Sequence, residues 1–576
     1  MTAKCRRPCA LCMQCFYPVF CYFPATADES QQTQFFLKVR SVIFLDRASV
    51  TEKVNNFCRV YTLKKSNYVN LFDEASERYM KIKKNLEHVI PVQVGLTTFS
   101  FNADSGSYLG TVYNFFIIPA SFPTLQNVFC FQSGTLEFLR LHGFDFNKLM
   151  YQGIPYMNSA QEAELRRKLL NNEITEVLSS FKPELETVFD NECEAIKKWY
   201  HNAKEGDHLS LEKIYDKYKN NIDVLYFVQK GLRAKFKNTW TSIDSKEFVL
   251  KKVTSEELKL LKTERSLEEE QLDELLGFTK LFRLITNSRK PLVGHNLLLD
   301  IALMINSFEC PLPASYNKFK KLTNTLFPAI YDTKVLCYEM KNLIPEEKRW
   351  NDKGLQSIFE YFKDGVGRHV VLNSPAIEMD HEGEYGKYHE AGWDSFCAGY
   401  VFIRLAYLNV YDKFPKSKKF VSAELIGGLS EWKNRVNVIR ASISSIKLDG
   451  EDPKSTRPPF LVVEFTKNVP VDLNKVTAAL SSFGFIEVKK LPYQNRRAIV
   501  AVDNFGNARR ILNNFKSHNE IRVQHYNALK HSSVIRAFIL GGLALSGTVM
   551  FMMMRSVIKR PARDENRGDM TRYDGC

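Results

Sequence analysis

The sequence contains little cysteine, with twelve residues of this type in a chain of 576. Five of them lie within the first 21 residues and the others are scattered, which is typical of reduced, buried thiols in a cytosolic protein and not of a disulfide scaffold. The overlapping Cys9-x-x-Cys12-x-x-Cys15 has the spacing of a metal knuckle, but no second ligand pair follows it at a set distance. We therefore expect no zinc site there.

A regular secretion signal is also lacking. A basic start precedes the apolar stretch 10–23, and Ala25-Thr26-Ala27 has the form of a cleavage site, but Gln14 and Pro18 interrupt the stretch. Secretion is therefore the weaker alternative. We expect an atypical or wrongly assigned first exon in front of an intracellular protein.

The composition argues against both disorder and a single small core. Hydrophobic residues make up 44% and charged residues 25% of the chain, which is globular, and its length predicts about two to four domains. Lysine and arginine number 80 against 65 aspartates and glutamates, for a net charge of +15. This charge suits a polyanionic partner, because neutralised phosphates release counterions, and it suits a generic basic surface equally well.

A stretch of eighteen residues without charge lies near the end of the sequence, at 537–554, AFILGGLALSGTVMFMMM. A helix of this length spans roughly 27 Å, enough for the apolar core of a bilayer, and basic residues flank it on both sides. A buried terminal helix is the alternative, but it should carry a polar stripe, and only Ser546 and Thr548 are polar here. Because only 22 residues follow, we predict a transmembrane tail anchor.

The orientation of this anchor follows from the size of the chain before it. The positive-inside rule alone would place the basic tail in the cytoplasm and would require more than 500 residues to be translocated without a signal. A cytosolic catalytic body with an inserted tail is the simpler topology. The short span with basic flanks favours the mitochondrial outer membrane over the endoplasmic reticulum.

The middle of the chain alternates between strand-like and helical patterns. Two β-rich segments bounded by turn residues, 91–99 and 113–119, predict adjacent strands. Residues 159–277 are charged, helical in pattern and poor in glycine and proline, which predicts an inserted helical module; a coiled coil would need a longer heptad pattern. Residues 290–293 and 330–334 then predict short strands, each followed by an aspartate.

Two motifs carry the candidate catalytic chemistry. The first is Gly-His-Asn at 294–296 with Asp300 four residues after the asparagine, and the second is His389-x-x-x-x-Asp394. A carboxylate one turn into the helix after a buried strand can face the sheet edge. His389 and Asp394 would lie about 140° apart on one helix, so we place His389 on the loop before that helix. Together these residues predict half of a metal site, with carboxylates as ligands and a histidine beside it.

Several collinear motifs make the sequence resemble the poly(A)-specific ribonuclease family of DEDD exonucleases with a catalytic histidine, over roughly residues 68–410. The matching segments, in chain order, are LFDEASERY (71–79), GFDFNK (143–148), GIPY (153–156), GHNLLLD (294–300), CPLP (310–313), YDTK (331–334) and HEAGWD (389–394). With the predicted anchor, the chain resembles the membrane-bound branch, the PARN-like domain-containing exonucleases that trim piRNA precursors. Single-stranded RNA is the substrate that this resemblance implies, with a protein recruiter such as a Tudor-domain protein.

The resemblance also implies roles for particular residues. In this family four carboxylates hold two Mg²⁺ or Mn²⁺ ions, one activating the attacking water and the other stabilising the leaving 3′ oxygen. By motif, Asp300 and Asp394 would be metal ligands, and His389 would be the general base. Asp332 and Lys334 would support the strand end and contact a phosphate of the substrate.

One half of the family's site has no match in this chain. Family members carry Asp-x-Glu on the first strand, whereas the corresponding upstream segment here offers Asp46 and then places Ala48 where the glutamate is required. Residues 1–66 as a whole do not match. A wrongly assigned N-terminus would leave the natural protein an active enzyme, which we favour; a correct one would make the chain a catalytically inactive, membrane-tethered RNA-binding or protein-binding scaffold.

A further domain is predicted after about residue 418. FLVVEF (460–465), FIEVKKL, RRAIVAV and IRVQHY alternate with two helical segments in a β-α-β-β-α-β order that resembles an RNA-recognition motif. Its third strand has Ile499 and Ala501 where stacking aromatic rings are expected, so a packing or protein-binding role is as well supported as RNA binding.

The expected fold class is α/β, an RNase H-like exonuclease core with an inserted helical module, an α+β RRM-like domain and a single C-terminal transmembrane helix. The expected boundaries are 1–66 for the unmatched cysteine-rich N-terminus that lacks the first catalytic strand, 67–158 and 278–415 for the two halves of the nuclease core, 159–277 for the insert, 418–530 for the RRM-like domain and 537–554 for the anchor.

Overall fold

The computed structural model describes residues 34–41 and 69–558, apart from residues 103, 123–124, 126, 172, 174–183, 220, 245–246, 265, 353, 371–373, 381–387, 412–419 and 467–468. For residues 34–41, 184–192, 244, 411 and 556–558 only the backbone is described. Asp46, the N-terminal cysteines, and Lys559 and Arg560 after the predicted anchor lie outside the described residues.

The chain forms two compact units, and each contains more than one stretch of sequence. Among the described residues, the first unit holds Gln34–Ser41 and Val69 together with those of Glu74–Ile439 and Ile443–Lys454. The second unit holds Asn70–Asp73, Arg440–Ser442 and the described residues from Ser455 onward. The division is therefore not a single cut between two domains, because two short segments that interrupt the first unit in sequence belong to the second.

A mixed sheet of seven strands is the centre of the first unit, in the order β10-β3-β2-β1-β8-β9 with β4 paired to β3. Strands β1, β2 and β3 pair antiparallel, whereas β8 is parallel to β1 and β9 is parallel to β8. Its strands are β1 (Gln34–Ser41), β2 (Pro91–Asn102), β3 (Ser107–Pro119), β4 (Ile154–Tyr156), β8 (Leu292–Gly294), β9 (Ile330–Asp332) and β10 (Ile377–Met379). The predicted hairpin and the two predicted short strands are confirmed.

Strand β1 corrects the expectation that residues 1–66 lack the first strand of the core. It pairs Lys38 with Gly95 of β2 and Phe36 with Val293 of β8, which places it inside the sheet. Strands pair through their backbone N–H and C=O groups. An Asp-x-Glu motif is therefore not needed for this strand to form. The segment QFFLKVRS contains no aspartate or glutamate.

Helices cover the sheet of the first unit. The longest, α15, packs against β1, β2, β3 and β8 and is buried over most of its length, and α11 also packs against β1. Local caps start two of the others, because Asp145 accepts the N–H of Lys148 and Asn158 accepts the N–H of Gln161. The helices around this sheet are α1 (Ala75–Asn85), α2 (Ser133–Leu141), α3 (Phe146–Gln152), α10 (Phe278–Asn287), α11 (Leu298–Met304), α12 (Tyr316–Leu326), α13 (Thr333–Met340), α14 (Leu355–Lys363), α15 (Ala391–Tyr411) and α16 (Ser422–Gly428). A two-stranded ribbon, β11 (Arg435–Asn437) and β12 (Ser445–Lys447), completes the unit.

The inserted segment is not purely helical, which corrects the prediction for residues 159–277. It contains a three-stranded antiparallel sheet, β5 (His208–Ser210), β6 (Thr239–Asp244) and β7 (Glu247–Lys252), with Phe248 and Leu250 buried. Those two residues alternate with more exposed neighbours, which is the two-residue period of a half-buried strand. The helices of this segment are α4 (Ser159–Leu170), α5 (Glu184–Asn202), α6 (Glu212–Tyr218), α7 (Ile222–Lys235), α8 (Ser255–Glu264) and α9 (Leu267–Leu276).

The second unit contains a four-stranded antiparallel sheet in the order β14-β15-β13-β16. Its elements follow the predicted β-α-β-β-α-β sequence, and Leu461, Val463 and Val500 lie in the core beneath the two helices. The elements are β13 (Leu461–Phe465), α17 (Leu473–Leu480), β14 (Ile486–Lys490), β15 (Arg497–Val502), α18 (Phe505–Asn514), β16 (Ile521–His525) and α19 (Ala528–His531).

The last described element is α20, Ser533–Ile558. Its segment Ser533–Arg555 has a mean hydropathy of 1.9 and is not buried within the structure. By length and composition it is able to cross a membrane, because a span of roughly 20 apolar residues suffices.

Candidate active site

The first motif forms a tight connection between β8 and α11. Asn296 has a φ of 63°, in the left-handed region, which is uncommon for a residue other than glycine. The connection places Asp300 in the first turn of α11, where it is buried. His295 is also buried, and its Nδ1 lies 2.9 Å from the Oγ1 of Thr333, whose hydroxyl donates to the carbonyl of Gly294. His295 therefore supports the turn and does not face solvent.

Asp332 holds this turn from the end of the neighbouring strand. Its carboxylate accepts the backbone N–H groups of Asn296 (2.8 Å), Leu297 (3.1 Å), Lys334 (2.9 Å) and Asn437 (2.9 Å). Burial raises the pKa of Asp332, and these four donors oppose that shift. The carboxylate links β9, the Gly-His-Asn turn and β11 through these hydrogen bonds. A phosphate contact for Asp332 or Lys334 stays a prediction.

The second motif lies at the start of α15. His389 precedes the helix on a loop, as predicted, and has a φ of 71°, so its backbone is held in an uncommon conformation. Its N–H donates to the Oδ1 of Asp394 at 3.3 Å, and Asp394 lies in the first turn of the helix. The two residues of the motif are thus joined directly, with the side chain of Asp394 fixing the loop that carries the histidine.

The imidazole of His389 lies against two other rings. Its centroid is 4.2 Å from that of His142 and 5.2 Å from that of Phe138, and those two rings are 4.3 Å apart. Phe138 belongs to α2, and His142 follows the end of that helix directly before the GFDFNK segment. Sequence analysis missed this cluster, because no local pattern links residues so far apart in the chain.

The start of α15 is pressed against β2 at Gly95. A Cβ at that position would lie 1.9 Å from the carbonyl oxygen of Ala391 and 2.4 Å from the amide nitrogen of Gly392. Only glycine permits this approach. Gln93, two residues earlier on β2, accepts the N–H of Ala391 at 3.2 Å, and Asn114 on β3 donates to Glu390 at 2.7 Å. Strands β2 and β3 therefore hold in place the residues that directly follow His389.

These elements bring Asp300 and Asp394 to the two helices that pack against β1, one from α11 and one from α15. Strand β1 itself has Lys38 and Arg40, and no carboxylate, in its described sequence. Among the residues that the structure describes, no three histidines, cysteines, aspartates or glutamates are grouped so as to hold a metal ion. The part of the chain that the structure describes thus supplies Asp300 and Asp394 as candidate metal ligands and no carboxylate on β1.

A mixed α/β sheet with one aspartate on each of two helices that pack against β1 is compatible with a nuclease, and the class is established by comparison with known families. The CAF1 family ribonuclease profile matches residues 61–402, a match that starts after β1. The chain belongs to this family.

Relatives extend over nearly the whole chain. The Pre-piRNA 3'-exonuclease trimmer of Bombyx mori is 31% identical over 501 residues, covering 86% of this chain and 92% of the relative. The Poly(A)-specific ribonuclease PNLDC1 of Homo sapiens is 28% identical over 488 residues, covering 82% and 90%. The Poly(A)-specific ribonuclease PARN of Xenopus laevis is 28% identical over 483 residues, covering 80% and 74%. The predicted family is confirmed, and it is a family of 3′-to-5′ exoribonucleases that generally use divalent metal ions.

Proposed function

We propose that this protein shortens single-stranded RNA from the 3′ end, on a substrate of the piRNA-precursor or poly(A) type. The observation that carries the proposal is the match to the CAF1 ribonuclease family, within which the two motifs contribute Asp300 and Asp394 to helices that both pack against β1. The relative from Bombyx mori is named for pre-piRNA and two others for poly(A), so both substrate types belong in the first assays.

His389, Asp300 and Asp394 have the main roles in this proposal. The two aspartates would hold divalent Mg²⁺ or Mn²⁺, which would supply positive charge at the scissile phosphate. His389 would take the proton of the attacking water, because it lies on an exposed loop that Asp394 fixes. Lys334, at the first turn of α13, would contact a substrate phosphate.

The sequence of β1 favours a second candidate function for the chain with this N-terminus, a membrane-tethered RNA-binding scaffold without catalysis. Two carboxylates are half of the negative charge that binds the ions in this family, and the described strand β1 of this chain contains none. Without them the ions would bind weakly, while the net positive charge of the chain would still attract phosphates, so RNA would bind without being cut.

The decisive experiment is to determine the 5′ end of the transcript and to assay both products. An Asp-x-Glu spliced ahead of residue 68 would end the scaffold proposal. The chain with the present sequence is then incubated with Mg²⁺ and a 5′-labelled RNA, which reveals stepwise loss of 3′ nucleotides, beside its Asp300→Ala variant. Equal, background-level decay in both would end the enzyme proposal for this N-terminus.

We also propose that α20 anchors the protein in a membrane with the catalytic body in the cytosol, and that the mitochondrial outer membrane is preferred over the endoplasmic reticulum. The apolar, unburied segment Ser533–Arg555 supports an anchor. A chain ending at residue 532 should become extractable by alkaline carbonate, whereas the full chain should stay in the membrane pellet. A recruiting protein, such as a Tudor-domain protein, would then meet the enzyme at the membrane surface.

The element order of the second unit leads us to assign it to the RRM-like class. Ala501, on the third strand, is buried although it points away from the helices, which supports packing as the role of that face.

A further inference from the structure

The sheet of the second unit has one face beneath its helices and a second face that such sheets use for single-stranded nucleic acid. Phe460, Val462, Glu487 and Lys489 alternate along β13 and β14 with core residues, so they belong to this second face. Val462 is completely buried, and Ala501 on the neighbouring strand is 2% exposed. Some other part of the chain therefore covers this face.

The segment Asn70–Asp73, which belongs to the second unit, provides the cover. The N–H of Leu71 donates to the Oε2 of Glu487 at 2.5 Å. The ring of Phe72 lies 5.1 Å from that of Phe460, centroid to centroid, with 45° between the ring planes. The ammonium of Lys489 lies 4.5 Å from the centroid of the Phe72 ring.

Further bonds fix this segment in place. Lys489 also donates to the Oδ1 of Asn70 at 3.2 Å. The carboxylate of Asp73 accepts the N–H of Asn70 at 3.0 Å, and the carbonyl of Asp73 accepts the N–H of Ser442 at 2.9 Å. Leu71 and Asp73 are 3% and 2% exposed. Burial raises the pKa of Glu487, and the bond from Leu71 opposes this shift.

Other polar side chains on this face pair within the second unit. Glu464 pairs with Arg497 at 2.7 Å, and the side chain of Gln524 lies 3.2 Å from the Nε2 of His531, which is 1% exposed. The place held by Phe72 is next to Phe460, Lys489 and Glu487. It offers an aromatic ring, an ammonium group and a carboxylate acceptor, which are the groups that hold an unpaired base by stacking, by cation–π attraction and by a hydrogen bond.

We propose that Phe72 acts as a built-in substitute for a base, so that the segment Asn70–Asp73 and a single-stranded RNA compete for the same face and the segment keeps it closed. The proposal concerns binding by the second unit and does not depend on cleavage by the first. The third strand of this sheet has no aromatic ring on the covered face. In this proposal Phe460 provides the ring on which a base would stack.

Fluorescence anisotropy of a short, labelled oligouridine tests this with the full chain in detergent micelles. EDTA is present, so that metal-dependent cleavage is excluded and a failure of the binding proposal stays separate from a failure of the exonuclease proposal. Phe72→Ala should bind about ten-fold more tightly, the value of roughly one stacked base. Phe505→Ala, which removes a ring that is 56% exposed in the same unit, is the matched control and should bind like the parent.

Two further variants identify the face. Phe72→Ala combined with Phe460→Ala should return to the affinity of the parent, because the stacking ring is gone, and Phe72→Trp should stay closed. Binding of Phe72→Ala within two-fold of the parent, or an unchanged gain in the double variant, would overturn the proposal.

A measurement on the unmodified chain covers the case in which Phe72→Ala does not fold. Oligouridine in large excess should displace the segment and speed hydrogen exchange at the amide of Leu71, whose partner is Glu487. The peptide 516–520, which follows α18, is the reference and should not change. Slower or unaltered exchange at Leu71 at saturating RNA would contradict competition for one face.

Discussion

The contact between Gly95 and the start of α15 predicts that Gly95→Ala damages the site from within the sheet. The added Cβ would lie 1.9 Å from the carbonyl oxygen of Ala391, and Cβ atoms in proteins essentially never come closer than 3.0 Å, so strand and helix have to separate by about 1.1 Å. The nearest atoms belong to the backbone, and no side chain can rotate away. We therefore expect a loss in the free energy of unfolding of about 3 kcal/mol, at the upper end of overpacking costs.

The same shift should reach the catalytic loop, because Ala391 follows it directly and Asp394 bonds to His389. In a catalytically competent form of the enzyme, a displacement of about 1 Å should lower the rate roughly 100-fold. Gly392→Ala should be milder, since its Cβ would lie 3.1 Å from side-chain atoms of Asn114 and Val112. Gly134→Ala, which meets nothing within 4 Å, is the control and should cost no stability.

Hydrogen exchange of the peptide 391–400 measures the stability of this region separately from the second unit, and a thermal unfolding scan gives the order of the three variants. The expected order of damage is Gly95→Ala, then Gly392→Ala, then Gly134→Ala. Exchange in Gly95→Ala that matches the parent would refute the reasoning, because a backbone overlap of this size leaves no conformation without a shift.

Three other predictions concern Asp332, the buried Tyr331 and the end of strand β1. Asp332→Ala leaves four backbone N–H donors without their acceptor and should lower the free energy of unfolding by at least about 3 kcal/mol. The loss is measured as faster hydrogen exchange of the Gly-His-Asn turn. Hydrogen exchange equal to that of the parent would contradict the linking role of Asp332. The free energy of unfolding should fall as the pH rises from 10 toward 12. Burial raises the pKa of Tyr331 to about 12, so the tyrosine loses its proton at a lower pH in the unfolded chain than in the folded one. Tyr331→Phe should show a shallower decline in alkaline unfolding scans, and an equal slope in the variant and the parent would refute this. Two variants place Asp and Glu two residues apart near the end of β1, one at positions 38 and 40 and the other at positions 39 and 41. One of the two variants should show Mg²⁺-dependent trimming of RNA. Normal folding without activity in both variants would contradict a site that lacks only these two carboxylates.

Local patterns predicted much of the fold and part of the site. The hairpin β2–β3 follows from alternating apolar residues between turns, and the position of His389 on a loop follows from the angle between its motif residues on a helix. The three-stranded sheet of the insert was not predicted, because its strands are short and lie among long, charged helical segments. The alternation of buried and more exposed residues around Phe248 and Leu250 is the signal in the sequence that indicates a strand. The rings of Phe138 and His142 beside His389 depend on contacts across the sheet, which no local pattern records.

Strand β1 shows why membership of a nuclease family and catalytic competence are separate questions for this chain. Its position between β2 and β8 needs only backbone hydrogen bonds in a fixed register, and a strand of any charge can supply them. In the function proposed here, Asp300 and Asp394 would balance only half of the four positive charges of two divalent ions, so two further carboxylates would decide whether both ions bind. The described sequence of β1 contains no carboxylate and still forms the strand, so the fold does not depend on them. On this proposal, a form of the protein that has the two further carboxylates would trim RNA, and a form without them would hold RNA without cutting it.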